Sequence, residues 1–341
     1  MDLSRRELGI LGLGAISTGN AIGAAKPNSK FGGVQVGANV PYIFRGMPGG
    51  ADDILKYCLD PTISLNALEL RSRPVEDALG APPPPGRMGM VRVTAADIAA
   101  AGGAPKGAAP AGGRPSPTPE QLAERKAAAE ALRKWRLSQS MSGFREFRKK
   151  YNDAGVLIQV VKFDGVDGFS DDELDYAFQL ARALGAEALS CEIPVSTTKR
   201  VGAFAEKHKM MMGYHGHGNI TDPEAFGSLE SWERAISYSK YNGANVDIGH
   251  FYAANGFSPA QWIQKNHARV THVHLKDRKI NNGPNVPWGE GGTPLKEILQ
   301  LMKKEKYPFQ ATIEMEHPVP QGSSVLVELA KCIQYCRDIL N

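Results

Sequence analysis

The sequence predicts a (β/α)8 TIM barrel, and three observations carry the prediction. Strand-like and helix-like segments alternate from about residue 30 to the end, making eight strand–helix units. The strand segments are short apolar runs, as in a parallel sheet buried on both faces. A doubly wound open sheet is the competitor, but no G-x-G-x-x-G follows the first strand.

The elements follow in order. "GVQVGANV" (33–40) reads as the first strand and "GGADDILKYCLD" (49–60) as its helix. "LNALELRS" (65–72) is the second strand. "GVLIQVVKF" (155–163) is the third, followed by the amphipathic "DDELDYAFQLARALG". "AEALSCEIP" (186–194) is the fourth, with "VGAFAEKHK" as its helix, and "MMMGYHGH" (210–217) is the fifth, with "PEAFGSLESWERAISYSK". "GANVDIGH" (243–250) and "PAQWIQKNH" form the sixth unit, and "VTHVHLKD" (270–277) and "TPLKEILQLMKKE" the seventh. "FQATIEMEH" (309–317) is the eighth strand, and "SSVLVELAKCIQYCRDIL" closes the chain as a helix.

Residues 80–120 break this rhythm. They are rich in Pro, Gly and Ala, bury little surface, and are expected to be a flexible insertion after the second strand. From Pro119 strong helix formers run to a stop at Gly155, which reads as one lengthened second barrel helix. Residues 87–150 carry 13 Lys+Arg against 5 Asp+Glu, inside a chain of net charge +4. A solvated helix face explains that excess better than a nucleic-acid footprint, so no nucleic-acid partner is expected.

The N-terminus pairs Arg5 and Arg6, then runs apolar from Leu8 to Ile16 and small up to Ala25. That pattern is an export signal of twin-arginine type over residues 1–29, too short to span a bilayer. It implies a periplasmic or secreted barrel over residues 30–341, with no membrane segment in the mature form. Four cysteines are too few for a disulfide scaffold and read as buried thiols.

In such a barrel the C-terminal strand ends converge on one mouth, where active sites sit. The candidates there are Glu192, His215, His217, Asp247, His250, His272, His274, Lys276, Asp277, Glu314, Glu316 and His317. In "RVTHVHLKDR", His272 and His274 are two apart in a strand and point to one face. Imidazoles and carboxylates converging from neighbouring strands suit a divalent metal with room left for substrate: Mn, Fe, Co, Ni, Zn or Mg. A buried polar network is the alternative, costly unless every member is satisfied.

"NVDIGH", "THVHLKD", "PWGEGGTPLKEIL" and "TIEMEHP" resemble the sugar phosphate isomerase/epimerase family with the xylose isomerase-like barrel, and "GYHGHG" resembles its Tyr-His-x-His branch. The resemblance implies metal ligands at Asp247, His274 and Glu314, and substrate contacts from His250 and His217. Where epimerases of this family carry a fifth-strand glutamate, this chain has His215. Glu192 then supplies the missing carboxylate, as fourth ligand or as base; a ligand role is favoured, with His215 the competitor. Losing the fifth-strand carboxylate puts two-sided proton transfer in doubt. Lys276 stabilises an oxyanion or pairs with Asp277, and the Trp288 loop covers the mouth.

The expected function is metal-dependent isomerisation or epimerisation of a sugar or keto-sugar by proton abstraction next to a carbonyl, with Glu192 or His217 as the base. A lyase or hydratase of 3-keto-glycosides, an endonuclease-type phosphodiester hydrolase and a non-catalytic sugar-binding protein are the rivals. The expected partner is a small sugar, and the chain is compatible with a homo-oligomer.

Overall fold

The computed structural model describes residues 26–83 and 118–341. The expected export signal, apart from its last few residues, and residues 84–117 of the expected insertion lie outside the described residues.

Eight parallel strands close into a barrel: β2 (Val34–Val40), β3 (Ala67–Arg71), β4 (Leu157–Phe163), β5 (Ala188–Cys191), β6 (Met211–His215), β7 (Asn242–Asp247), β8 (Val270–Leu275) and β9 (Gln310–Ile313). Each pairs with the next, and β9 returns to β2 through Val36–Ala311, Gly37–Thr312 and Ala38–Ile313. A two-residue strand, β1 (Lys30–Phe31), folds back antiparallel on β2. The expected TIM barrel is therefore the observed fold.

Alternation along the strands sorts side chains between two environments. Val36, Ala38, Val40, Leu68, Leu70, Val161, Leu189, Met212, Tyr214, Val246, Val273, Leu275, Ala311 and Ile313 face the surrounding helices and form the apolar core. The barrel interior is polar: Asn39, Glu69, Lys162, Ser190, Asn245, His272, His274, Gln310 and Thr312 are all buried. Gly37 makes room for Gln310, whose amide would lie 2.2 Å from a Cβ there.

Two elements differ from expectation. The helix expected to run unbroken from Pro119 to Gly155 is two, α3 (Pro119–Ser138) and α4 (Ser142–Asp153), preceded by a short α2 (Ser72–Ala78) directly after β3. The backbone turns extended at Gln139, in a run of serines whose side chains compete for backbone groups; Ser138 Oγ donates to the Trp135 carbonyl at 2.8 Å. Thr118 and Gln121 make a reciprocal capping box at the start of α3, and Gly155 ends α4 at φ +87°. The sixth expected strand also ends early. It stops at Asp247, whose carboxylate caps α8 (Ile248–Asn255), so His250 sits in a helical first turn.

Trp232, on α7 (Leu229–Tyr238), braces the mouth from outside. It is fully buried among Phe226, Phe251 and Trp262, and its Nε1 donates to the Tyr214 carbonyl at 3.0 Å. Trp232→Ala is expected to cost about 3–5 kcal/mol, read by chemical denaturation. All four cysteines are free and buried, as expected. Among the described residues no helix is long and apolar enough to cross a membrane.

Candidate functional site

Asp247 and His274 are direct neighbours in register across β7 and β8. Asp247 Oδ1 accepts the His250 backbone N–H at 2.7 Å, capping α8. Oδ2 is left free of the helix cap and lies 2.8 Å from the Lys276 ammonium. Glu314 follows β9; its Oε1 accepts from Asn39 at 2.9 Å, and its Oε2 lies 3.0 Å from His274 Nδ1. His215 ends β6, with Nε2 4.0 Å from Asp247 Oδ2 and a buried, unpartnered Nδ1. His215, Asp247, His274 and Glu314 each offer one donor atom within 4.8 Å of the others.

This set fits a divalent cation. It mixes imidazole with carboxylate, as borderline transition metals prefer, and His215 adds a buried ring nitrogen, Nδ1, that no hydrogen bond satisfies. Burial, reinforced by the charges of Lys162 and His274, holds His215 well below the ordinary imidazole range, so it is neutral and ready to bind metal. Burial alone would push His274 down too, but Glu69 and Glu314 lift it to about 10. His274 must therefore release its Nδ1 proton before that atom can bind a cation.

Lys276 stands in the same place. Its Nζ lies 2.8 Å from Asp247 Oδ2, 2.6 Å from Glu314 Oε2 and 2.7 Å from Glu316 Oε2. Of the two expected roles, pairing with Asp277 is not what the structure contains. Asp277 instead accepts the backbone N–H groups of Gly289 (2.8 Å), Gly291 (2.9 Å) and Thr293 (3.1 Å), tying down the "WGEGG" loop. A Cβ on Gly291 would sit 2.0 Å from Asp277 Oδ1, which is why that position is glycine. Trp288 packs edge-on against Tyr335 of the C-terminal helix, with ring centroids 5.6 Å apart. Asp277→Ala is expected to speed hydrogen exchange at the Gly289, Gly291 and Thr293 amides, since all three lose their acceptor.

Glu192, expected as a fourth ligand or as a base, lies outside the four-donor set. Its carboxylate lies 3.1 Å from His217 Nε2 and pairs with the Lys162 ammonium. The physical reason is reach: β5 ends at Cys191, and Lys162 from the neighbouring strand holds the carboxylate to its own side of the mouth. Burial would raise the Glu192 carboxyl, but His217 and Lys162 outweigh it and hold it near 2. His217 is raised in turn, chiefly by its hydrogen bond to Glu192. Both side chains are open to the mouth, 39% and 49% exposed.

His250 Nδ1 accepts from Arg278 Nη1 at 2.6 Å, which leaves its proton on Nε2. Burial, then the Lys276 charge, depresses His250 to about 3 and keeps it neutral. His215, His217 and His250 form a second close grouping, but Glu192 and Arg278 already engage two of those rings. His317 turns away to Glu328 of the C-terminal helix, 3.4 Å distant. Sequence reasoning passed over Glu69, Lys162, Asn39 and Arg278. A signal existed for Glu69: it is a carboxylate inside the apolar run "ALELR".

The closed parallel barrel carries this His/Asp/His/Glu cluster at its strands' C-terminal ends, the face on which TIM-barrel active sites sit. Residues 190–336 match the family described as xylose isomerase-like TIM barrel, a stretch that contains every residue of the four-donor set and the Glu192–His217 pair. A xylose isomerase domain protein from Alicyclobacillus acidocaldarius is similar in structure, at TM-score 0.57 and 15% identity over 89% of this chain and 99% of that one. The 3-keto-D-glucoside 4-epimerase YcjR from E. coli aligns at TM-score 0.52 and 10% identity over 89% and 100%. An IOLI protein with a bound zinc atom aligns at TM-score 0.53 and 11% identity over 90% and 98%. At such identities the likeness is one of fold. No curated protein matches the sequence.

Proposed function

We propose that the protein is a divalent-metal-dependent enzyme of the sugar isomerase/epimerase type, removing a proton next to the carbonyl of a sugar or keto-sugar. The observation that carries this reading is the juxtaposition of two separate devices at one mouth: four donors within 4.8 Å, and a carboxylate–imidazole pair 3.1 Å apart beside them. His215, Asp247, His274 and Glu314 would hold the cation. When bound, it supplies electrophilic pull on a carbonyl and its neighbouring hydroxyl.

His217 is the proton carrier, and Glu192 is its orienting partner. A carboxylate held near 2 is a poor base by itself, but bonded to an imidazole it selects the ring's orientation and stabilises the imidazolium. The α-proton passes to the imidazole, and the C–H electron pair moves toward the carbonyl oxygen. The Lys276 ammonium and the His250 Nε2–H are the donors at hand for that oxygen. Returning the proton to carbon completes isomerisation or epimerisation; giving it to a β-oxygen completes an elimination. The presence of one such pair, with His215 where a second carboxylate would stand, favours one-sided chemistry and keeps a keto-glycoside lyase as the second reading.

The twin-arginine-type start supports export, and with it an unphosphorylated sugar or glycoside as substrate. The YcjR likeness makes 3-keto-glycosides the first compounds to try. The test is metal analysis of the purified protein, followed by a panel of keto-sugars and keto-glycosides in D2O with Mn, Co, Zn, Fe, Ni or Mg. Deuterium appearing at carbon marks isomerase or epimerase chemistry, and loss of the glycosidic substituent marks a lyase. Absence of bound metal, or cleavage of abasic DNA instead, overturns the reading.

A further inference from the structure

The reaction outlined above leaves one buried group without a task. Glu69, at the centre of β3, is fully buried and reaches across the barrel interior to β8. Its Oε2 lies 2.6 Å from His274 Nε2, and its Oε1 lies 3.2 Å from His272 Nε2. His272 is held on its other side, with Nδ1 3.0 Å from Thr271 Oγ1. A carboxylate in this environment is expensive to desolvate unless its partners need it.

We propose that Glu69 is a positioning residue for the cation site: it holds a proton of His274 on Nε2, so that Nδ1 faces Asp247 and Glu314 and is the nitrogen that gives up its proton to a cation. The inference rests on the proposed ligand set. His274 Nδ1 stands 3.0 Å from Glu314 Oε2 and 3.9 Å from Asp247 Oδ2, on the opposite side of the ring from Glu69. A ring free to turn about its χ2 axis would present either nitrogen, or a C–H, to the site. A carboxylate on the far N–H removes that freedom and raises the basicity of the near nitrogen. Such outer partners change metal affinity by about 10–100-fold. His272 keeps company with the second oxygen of Glu69, which accounts for two histidines on one face of β8.

Glu69, His272 and His274 also lie close enough together to be read as a second cation site. Two features oppose that. Glu69 Oε2 and His274 Nε2 are already at hydrogen-bond distance, and the Lys162 ammonium supplies positive charge to the same carboxylate.

The experiment is a Co2+ titration of the metal-free protein, followed by visible absorption and calorimetry, with the thermal midpoint of each metal-free variant as control. Glu69→Gln keeps the shape and removes the charge. Glu69→Asp keeps the charge and loses the reach, so the test survives if one of the two does not fold. Both are expected to bind one Co2+ about 10–100-fold more weakly than the parent, with a changed d–d spectrum and a thermal midpoint within a few degrees of it. Parent-like Co2+ affinity in a folded variant overturns the positioning role while the ligand set stands. Two Co2+ per parent chain, with one lost in Glu69→Gln, overturns it in favour of a second site. No Co2+ bound by the parent overturns both this role and the proposed ligand set.

Discussion

Asp247→Ala and Glu314→Ala are each expected to abolish divalent-cation binding while the barrel stays folded. The two carboxylates supply all the negative charge of the four-donor set, and the two imidazoles are neutral when they bind metal. Removing an outer partner costs about 10–100-fold in affinity, so losing a charged ligand should cost more than that. The fold should survive because both residues sit at strand ends, outside the apolar layer between strands and helices. Asp247 also caps α8 through Oδ1, so its alanine variant should lose about 1 kcal/mol of stability besides. Asp247→Asn separates the two effects: the amide oxygen can still cap, but it brings no charge. Each variant frees the Lys276 ammonium from one carboxylate and leaves it the others, including Glu316 2.7 Å away, so no buried charge is stranded. Metal analysis after dialysis is the measurement, and full occupancy in both alanine variants would sink the assignment.

Glu192→Gln is expected to leave cation affinity unchanged and to lower turnover by about 10²–10⁴-fold, the usual contribution of a positioned acid–base group. His217→Gln should do the same. Glu192 makes its contacts with His217 and Lys162 and donates nothing to the four-atom cluster, so the metal has no reason to notice its charge. The two residues act as one device, and their losses should not add. A double variant is expected to be no slower than the worse single variant, as for groups that share one step. The informative contrast is His215→Ala, which should lose cation affinity outright. If Glu192→Gln weakened Co2+ binding while His215→Ala spared it, the roles assigned to the two residues would have to be exchanged.

Much of the architecture was legible because it depends on local pattern. Eight apolar strand segments, alternating with helices, were read at nearly their observed positions, since burial of a strand on both faces leaves a run of Val, Ile, Leu and Ala in the sequence. The boundaries were less legible. Asp247 reads as strand because "NVDIGH" is apolar on both sides of it, yet its side chain caps the following helix. The break at 139–141 was hidden among good helix formers on either side. For the site, period-two alternation sufficed to put His272 and His274 on one face and to nominate most of the mouth residues.

The sequence by itself determined the barrel, the mouth as the candidate site, and the types of residue gathered there, because strand order and alternation dictate which side chains converge. Only the tertiary structure decided their partnerships. Whether His215 or Glu192 stands beside Asp247, and whether Lys276 faces Asp277 or Glu314, depends on a few ångströms of reach across strands far apart in the chain. Glu69 meets His274 across 205 positions of sequence, a contact that exists because the sheet closes on itself. Hydrogen bonds and ion pairs of this kind act over about 3 Å, and nothing in the local pattern of either segment encodes the other.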